Sequence, residues 1–272
     1  MIFRVILSVL VALVLIVGVS YPLLLLRPRR RNKVGDALLC DYAHRGLHGN
    51  GIPENSRAAF ELACRKGCGI ELDVQLSRDG VVMVFHDYTL VRMTGCEKKL
   101  CELDAAELTA LTLADSEETI PTLEEVLRLV DGRVPLLIEL KGEDYSTALC
   151  EKVAAALSGY AGAYCFESFN PLLVRQMKKQ MPDAVCGLLY TNVCREKKKY
   201  SALNMALTAM AFNFLACPDF IAYNQNYRAA LPVRWVTKLY RAPRFVWTVR
   251  SDDDLATAHQ KGECAIFEHC GA

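Results

Sequence analysis

Four pairs of polar residues in this 272-residue chain have the types and spacing that acid–base chemistry on an anionic substrate requires. The pairs are His44-Arg45, Glu71-x-Asp73, His86-Asp87 and Glu139-x-Lys141. Side chains two residues apart on a strand share a face, so Glu71 and Asp73 are expected to be buried together, and one stays protonated unless a cation joins them. With Glu139, three carboxylates and no His/Cys cluster favour Mg²⁺ or Ca²⁺ over zinc. The alternative is a structural ion-pair network with Lys141 and Arg45.

Two of the five histidines, His44 and His86, lie at matching positions near these carboxylates. A single histidine is usually a packed or surface residue, but a pair at strand ends is typical of a general acid and base. Arg45 could bind a phosphate through two hydrogen bonds from its guanidinium group, and Lys141 could neutralise a phosphate charge. The chain contains no serine-nucleophile motif, Walker loop or GxGxxG fingerprint.

Each pair falls at the C-terminal end of a strand-like run, where barrel enzymes place their sites. Nine such runs alternate with helical stretches, and most are continuously apolar, like strands buried on both faces. The runs are Leu39–Ala43, Ile70–Gln75, Val81–Phe85, Pro135–Leu140, Ala163–Phe166, Ala184–Tyr190, Asp219–Asn224, Arg244–Val249 and Ala265–Phe267. Ser77–Gly80 leaves no room for a helix, so the second and third runs are expected to form a hairpin. We therefore predict an α/β TIM barrel, (β/α)8, with a doubly wound sheet as the second choice.

The expected helices are Ser56–Lys66, Val126–Val130 after a Thr122–Glu125 capping box, Pro171–Gln180 and Asp252–Gln260. The apolar stretch Ser201–Ala216 is interpreted as one helix, either buried against the barrel or resting on a membrane. Because the sequence stops soon after the last run, the final barrel helix is expected to be missing or replaced. That ending puts closure of the barrel in question.

The N-terminal segment predicts a membrane anchor. Val5–Leu26 carries no charge, and a helix of these 22 residues spans roughly 33 Å, enough for a hydrocarbon core of about 30 Å. One arginine precedes it and five basic residues follow, whereas a cleaved signal peptide, the alternative, has its charges first and a small-x-small site afterwards. We predict residues 1–33 as a single-pass transmembrane anchor with a basic juxtamembrane segment, and residues 34–272 as the barrel. The positive-inside rule places that barrel on the cytoplasmic side of the cell membrane.

Composition excludes two broad classes of protein. A hydrophobic content of 52% supports a large packed core, which excludes a disordered chain. The net charge of +1 combines a basic N-terminal segment with an acidic remainder, which argues against nucleic acid as a partner. The twelve cysteines lack zinc-type spacing and are scattered through apolar stretches, so reduced thiols are expected rather than disulfides.

Several segments, taken in order, resemble one enzyme family. They are AHRGLHGNGIPENS (Ala43–Ser56), IELDVQLSRDGVVMVFHD (Ile70–Asp87), IPTLEEVL (Ile120–Leu127), IELK (Ile138–Lys141), SFNP (Ser168–Pro171) and FVWTV (Phe245–Val249). The ordered set HRG, PEN, E-x-D, HD and E-x-K is similar to that of the glycerophosphodiester phosphodiesterases, over about residues 41–267. The resemblance implies a TIM barrel with one divalent cation. By resemblance the metal ligands are Glu71, Asp73 and Glu139, and the catalytic histidines are His44 and His86.

The resemblance also implies roles for residues around that centre. Arg45 and Lys141 would hold the phosphate, and Glu54 of the PEN motif would support the site or contact the metal. Trp247 and Phe169 would line the substrate groove, with ordinary core packing as the alternative for both. The family often has Asn where this chain has Arg250, which could favour anionic head groups or pair with Asp252.

The family chemistry implies that the glycerol 2-hydroxyl attacks the phosphorus, expelling an alcohol and leaving a cyclic phosphate that water opens. We assign His44 as the acid and His86 as the base. The substrates would be glycerophosphodiesters or lysophospholipids, giving glycerol 3-phosphate or lysophosphatidic acid. The alternatives are a related barrel phosphodiesterase of the phosphoinositide phospholipase C or sphingomyelinase D type, and a catalytically silent, membrane-tethered lipid-binding scaffold.

Overall fold

All nine predicted runs form strands in the computed structural model, which describes residues 2–30, 32–142 and 147–268. The strands are β1 (Tyr42–Ala43), β2 (Gly69–Leu76), β3 (Val82–Val84), β4 (Leu136–Leu140), β5 (Tyr164–Ser168), β6 (Cys186–Tyr190), β7 (Phe220–Asn224), β8 (Arg244–Val249) and β9 (Cys264–Phe267). β1 pairs in parallel with both β2 and β9, so eight parallel strands close into the predicted TIM barrel. β3 pairs antiparallel with the end of β2, which confirms the hairpin.

Short and long helices connect these strands. The α-helices are α1 (Ile2–Ser20), α2 (Arg57–Lys66), α3 (Val91–Thr94), α4 (Ala105–Leu108), α5 (Leu123–Val130), α6 (Ala148–Ala156), α7 (Pro171–Gln180), α8 (Val193–Glu196), α9 (Ala202–Thr208), α10 (Asn213–Ala216), α11 (Leu231–Arg234) and α12 (Asp252–Gln260). The predicted Thr122–Glu125 capping box opens α5, where each side chain accepts a hydrogen bond from the other residue's backbone N–H. In the described residues, which end at Glu268, no helix follows β9, yet the barrel is closed.

Closure leaves a packed barrel interior at the N-terminal edges of the strands. Tyr42, Phe220 and Phe245 fill it, and Val34 and Leu38 from the segment before β1 cover it from below. No disulfide joins the eleven cysteines in the described residues, four of which are buried, and their reduced state stays a prediction. The interior is therefore apolar at one edge, which leaves the opposite edge for charged residues.

The prediction of one helix over Ser201–Ala216 is wrong. The stretch forms two short helices, α9 and α10, separated at Met210, whose φ of +50° lies in the left-handed region and breaks the helix. Buried Asn213 accounts for the break, because its side chain satisfies a backbone carbonyl of a distant segment, whereas buried Asn204 bonds locally at the start of α9. Asn204 Nδ2 donates to Lys199 O, and Asn213 Nδ2 donates to Leu26 O.

The apolar N-terminal segment is one helix, α1, continued by a wider π-helical turn over Tyr21–Leu26. By length and composition the helix Ile2–Leu26 can cross a membrane, and its outer residues make no buried contact with the barrel. Its last turn is different, because Leu26 is fully buried in the barrel core. Residues 27–30 and 32–38 then lead to the N-terminal edge of the barrel.

Candidate active site

The register of three neighbouring strands brings acidic side chains together at the C-terminal edge. Asp73 of β2 is level with Glu139 of β4, and Glu139 is level with Glu167 of β5. Glu71 lies one pleat below Asp73 on the same face, and all four side chains are buried. Carboxylate oxygens of Glu71, Asp73 and Glu139 lie within 4.8 Å of one another, as the motif spacing predicts. Glu167 is a fourth acid that the sequence reasoning missed.

Two cations lie against this three-carboxylate cluster. Lys141 Nζ is 2.9 Å from Glu139 Oε1 and 3.1 Å from Asp73 Oδ1. The Arg45 backbone N–H donates to Glu71 Oε2 at 2.9 Å, and its Nε lies 3.5 Å from Asp73 Oδ2. Burial alone would raise the pKa of Asp73, but Lys141 and other positive groups outweigh it and hold that pKa well below its usual range. Asp73 is therefore ionised at neutral pH.

The other carboxylates are not fully compensated. Burial, and then the charges of Asp73 and Glu139, raise the pKa of Glu71 well above its usual value. Burial also raises the pKa of Glu139 to about 7, although Lys141 acts in the opposite direction. Repelling carboxylates that offer only oxygen donors fit a hard divalent cation, which would relieve the repulsion without protons. The donor set thus fits Mg²⁺ or Ca²⁺, while the identity of the cation stays a prediction.

His86 is positioned by the strand that carries the acids. Gln75, the next inward residue of β2, donates through Nε2 to the carbonyls of Phe85, His86 and Asp87. His86 Nδ1 lies 2.6 Å from Asp87 Oδ1. Burial lowers the pKa of His86 below its ordinary 6.5; the nearby Lys141 charge acts in the same direction, whereas that of Asp73 opposes it. The ring is therefore neutral near pH 7.

His44 is held by a residue that the sequence reasoning missed. Its Nδ1 lies 2.5 Å from Glu268 Oε1, and its Nε2 lies 3.9 Å from Glu71 Oε2. Arg250 Nε donates to Glu268 Oε2 at 2.8 Å, so Arg250 pairs with Glu268 and not with Asp252. Burial alone would raise the pKa of Glu268. The hydrogen bond from His44 and the charge of Arg250 outweigh burial and lower that pKa to about 2. Glu268 follows the end of β9, and the strand-end rule that located the other pairs could have found it.

Glu54 is bound by two guanidinium groups instead of lying among the three carboxylates. Arg45 Nη1 is 2.8 Å and Arg92 Nη2 is 2.6 Å from Glu54 Oε1. Arg92 also donates through Nε to Asp87 Oδ2 at 2.6 Å, so it links the PEN segment to the His86 loop. Asn55 of the same motif donates to Asp73 Oδ2 at 2.8 Å. The motif therefore supports the site through Arg45 and Asp73, and a metal contact by Glu54 stays a prediction.

The two predicted groove residues lie together at the mouth of the barrel. Phe169 and Trp247 pack edge to face, with ring centroids 5.5 Å apart. Phe169 retains 41% of its exposure, so it can meet a ligand as well as its aromatic neighbour. Trp247 also packs against the apolar cluster at the N-terminal edges, so the ordinary core packing considered for it applies in part.

Comparisons with known proteins agree with this arrangement. Residues 44–269 match the Glycerophosphoryl diester phosphodiesterase family. A glycerophosphodiester phosphodiesterase of Caldanaerobacter subterraneus is 38% identical over 236 residues, covering 83% of this chain and 91% of that protein. The structure of an Oleispira antarctica phosphodiesterase in complex with the product sn-glycerol-3-phosphate superposes with a TM-score of 0.70 at 24% identity, covering 84% of this chain and 92% of that one. A glycerophosphodiester phosphodiesterase from Thermotoga maritima superposes with a TM-score of 0.65 at 23% identity, covering 84% and 94%.

Proposed function

The chain belongs to the glycerophosphoryl diester phosphodiesterase family, and from this premise we propose that it hydrolyses glycerophosphodiesters with a divalent cation and two histidines. The observation that carries the proposal is the position of the histidines beside the three-carboxylate cluster. His44 lies 3.9 Å from Glu71, and His86 is near enough to Asp73 for their charges to interact. A phosphodiester bound at this cluster meets both a proton donor and a proton acceptor.

The acidic and the basic residues of the site have different roles in binding an anionic substrate. Glu71, Asp73 and Glu139 are the residues that would hold the cation, Mg²⁺ or Ca²⁺. When bound, the cation supplies positive charge to the phosphate oxygens as negative charge develops on them. Arg45 and Lys141 add positive charge from the protein, and their carboxylate partners fix where those charges lie.

The histidines move the protons of the reaction. The glycerol 2-hydroxyl attacks the phosphorus, and the bond from phosphorus to the alcohol oxygen breaks. His86 removes the hydroxyl proton, because its lowered pKa keeps the ring neutral. His44 protonates the departing oxygen, and the Glu268 carboxylate, 2.5 Å from its Nδ1, holds the ring in place for that role. The alcohol leaves in this first step. Water then opens the cyclic phosphate with the roles of the two histidines reversed, which releases glycerol 3-phosphate.

The substrate range follows from the need for a free 2-hydroxyl. Glycerophosphocholine has it, and so does a lysophospholipid acylated at the 1-position, which would give lysophosphatidic acid. The family match favours this route over phospholipase C or sphingomyelinase D chemistry and over a silent scaffold. A substrate analogue without the 2-hydroxyl separates the routes, because loss of that hydroxyl stops only the route that forms a cyclic glycerol phosphate.

We place the enzyme at the cell membrane, with the barrel on the cytoplasmic side. The apolar helix is followed by five basic residues within 27–33, which supports that orientation. A signal peptide is removed from the mature protein, whereas here the last turn of the helix is part of the packing. Leu26 is fully buried, and Tyr240 donates a hydrogen bond to Pro22 O at 2.6 Å. Recovery of the intact N-terminus from the membrane fraction is the expected result, and a mature chain that begins after residue 26 would contradict it.

Hydrolysis by the full-length protein in detergent tests the reaction. Wild-type protein, offered glycerophosphocholine with EDTA, Mg²⁺ or Ca²⁺, is expected to release glycerol 3-phosphate only when a divalent cation is present. Glu71→Gln and His86→Gln should lose that activity, while Glu61→Gln, a change of the same kind at a partly exposed helix position, should retain it. Full turnover in EDTA after exhaustive dialysis, or unchanged turnover in both site variants, would overturn the proposal.

A further inference from the structure

The anchor helix leaves the barrel on the side of its catalytic edge. Tyr21 donates to Ala209 O at 2.6 Å, in the connection that follows the C-terminal edge of β6. Eleven residues later, the Asn32 backbone N–H donates to Asp219 Oδ1 at 3.1 Å, and Asp219 directly precedes β7. The chain therefore runs down the barrel wall from the catalytic half to the N-terminal edge. Followed from Tyr21 back toward the N-terminus, α1 leaves the barrel at its catalytic half and extends outward from there.

An exposed apolar surface lies on the same side. Tyr200, Leu203 and Met205, here named the α9 surface, retain 75%, 56% and 57% of their exposure. They follow the exposed run Lys197–Lys199, while Asn204 between them points inward and is only 7% exposed. Lysines beside an aromatic and long apolar side chains are typical of segments that lie in a membrane interface.

A groove connects the α9 surface to the active-site mouth. Its volume is about 670 Å³, which is within the range of lipid- and drug-sized ligand sites. Leu203 and Leu207 of α9 line one part of the groove, and Phe169 and Tyr88 line another. Phe169 is also the residue that packs against Trp247 at the mouth. The groove therefore offers apolar lining from Phe169 at the active-site mouth to the exposed side of α9.

We propose that the α9 surface rests on the same bilayer that α1 crosses, and that the groove takes the acyl chain of a single-chain lysophospholipid. This inference rests on the proposed function, which requires a free 2-hydroxyl and so excludes diacyl lipids. Drawing an acyl chain into water costs about 0.8 kcal/mol per CH₂ group, and a groove that opens at the bilayer avoids that step. A water-soluble diester occupies the polar site and leaves the groove empty.

Membrane contact is measured without turnover by tryptophan fluorescence. The full-length protein is reconstituted into phosphatidylcholine–phosphatidylserine vesicles, with or without acyl-chain-brominated phosphatidylcholine. Leu203→Trp is expected to add a quenchable signal to that of the native Trp235 and Trp247. Leu39→Trp is the matched control, because Leu39 is 42% exposed but lies in the segment before β1, at the other edge of the barrel. Equal quenching of the two added tryptophans, or no quenching at Leu203, would overturn the contact.

The acyl-chain site is measured by a ratio of substrates. In the same vesicles, turnover of 1-acyl-lysophosphatidylcholine is divided by turnover of glycerophosphocholine. The double variant Leu203→Glu/Leu207→Glu should lower this ratio by about tenfold or more, because two apolar side chains no longer line the groove. An unchanged ratio, or a wild type that hydrolyses only the soluble diester, would overturn the groove assignment. A wild type that hydrolyses neither substrate would refute the proposed function instead, and the quenching result would still decide the membrane contact.

Discussion

Glu268 tests the acid–base assignment more directly than either histidine, because its replacement can leave the imidazole in place. Its carboxylate lies 2.5 Å from Nδ1 of His44, and the two side chains are only 11% and 14% exposed, so water screens the pair weakly. Its pKa of about 2 keeps it negative at every pH at which the enzyme would be assayed. In Glu268→Gln a neutral amide of similar shape replaces the carboxylate that lies against Nδ1 of His44.

The size of the effect follows from the kind of bond that is lost. A hydrogen bond to a charged group contributes about 1.5–3 kcal/mol, which corresponds to roughly 10- to 150-fold in kcat/KM. The loss should depend on the leaving group, because His44 is assigned to protonate it. With glycerophosphocholine the full loss is expected for Glu268→Gln. With a p-nitrophenyl ester of glycerol phosphate, whose leaving group departs without a proton, the loss should be about threefold or less.

A second carboxylate–histidine pair provides the matched control. Asp41 Oδ2 lies 2.6 Å from Nε2 of His259, and Asp41 precedes β1 at the edge of the barrel opposite the site. Asp41→Asn should leave kcat/KM unchanged for both substrates. Equal losses on both substrates in Glu268→Gln would refute His44 as the acid. A loss of similar size in Asp41→Asn would show that carboxylate–histidine pairs affect activity through the stability of the fold.

Other groups in the barrel lead to further predictions. Mg²⁺ or Ca²⁺ should raise the melting temperature of the wild type and not that of Glu71→Gln, and equal shifts would contradict binding by the carboxylates. Glu167→Gln should raise the melting temperature near about pH 8 but not near about pH 4. Burial raises the pKa of Glu167, so the folded state loses stability as pH rises above the ordinary carboxyl value, and a less stable variant at the higher pH would oppose this. The acidic limb of kcat/KM should lie below pH 6.5, because burial lowers the pKa of His86, which must be neutral to act as the base; a limb above pH 7 would exclude that role. Lys178→Met should cost about 3–5 kcal/mol in urea unfolding, because it removes the positive charge that lies 2.6 Å from the buried Asp219 carboxylate, and a cost below about 1 kcal/mol would show that water reaches the pair.

The strands and the acidic cluster were predictable because local patterns determine them. A strand buried on both faces must be apolar along its length, and an acid in such a strand, as at Glu71 or Glu139, is conspicuous. Period-two geometry then fixes which side chains share a face, without knowledge of the tertiary structure. Local sequence patterns are therefore sufficient to identify the motif residues.

The parts that were missed depend on contacts between distant segments. Glu268 acquires its role only because closure of the barrel brings β9 beside β1. This places Glu268 against His44, which lies 224 residues earlier in the chain. The break at Met210 has the same origin, because Asn213 turns inward to satisfy Leu26 O, 187 residues earlier in the chain. Hydropathy reports how apolar a stretch is, but not which carbonyl its asparagines will meet.

Charge balance in the barrel mouth links the cation to the substrate. In the described residues there, the buried carboxylates are Glu71, Asp73, Glu139 and Glu167, and the cationic side chains against them are Lys141 and Arg45. In the protein alone, burial raises the pKa of Glu139 to about 7, so protons can remove part of the excess negative charge. A bound divalent cation would displace those protons and, together with Lys141 and Arg45, would balance the four carboxylates, so that no excess negative charge opposes an anionic phosphodiester. Affinity for the cation should therefore fall as the pH falls, and affinity for the phosphodiester should fall with it, because the phosphate meets uncompensated carboxylates wherever the cation is absent.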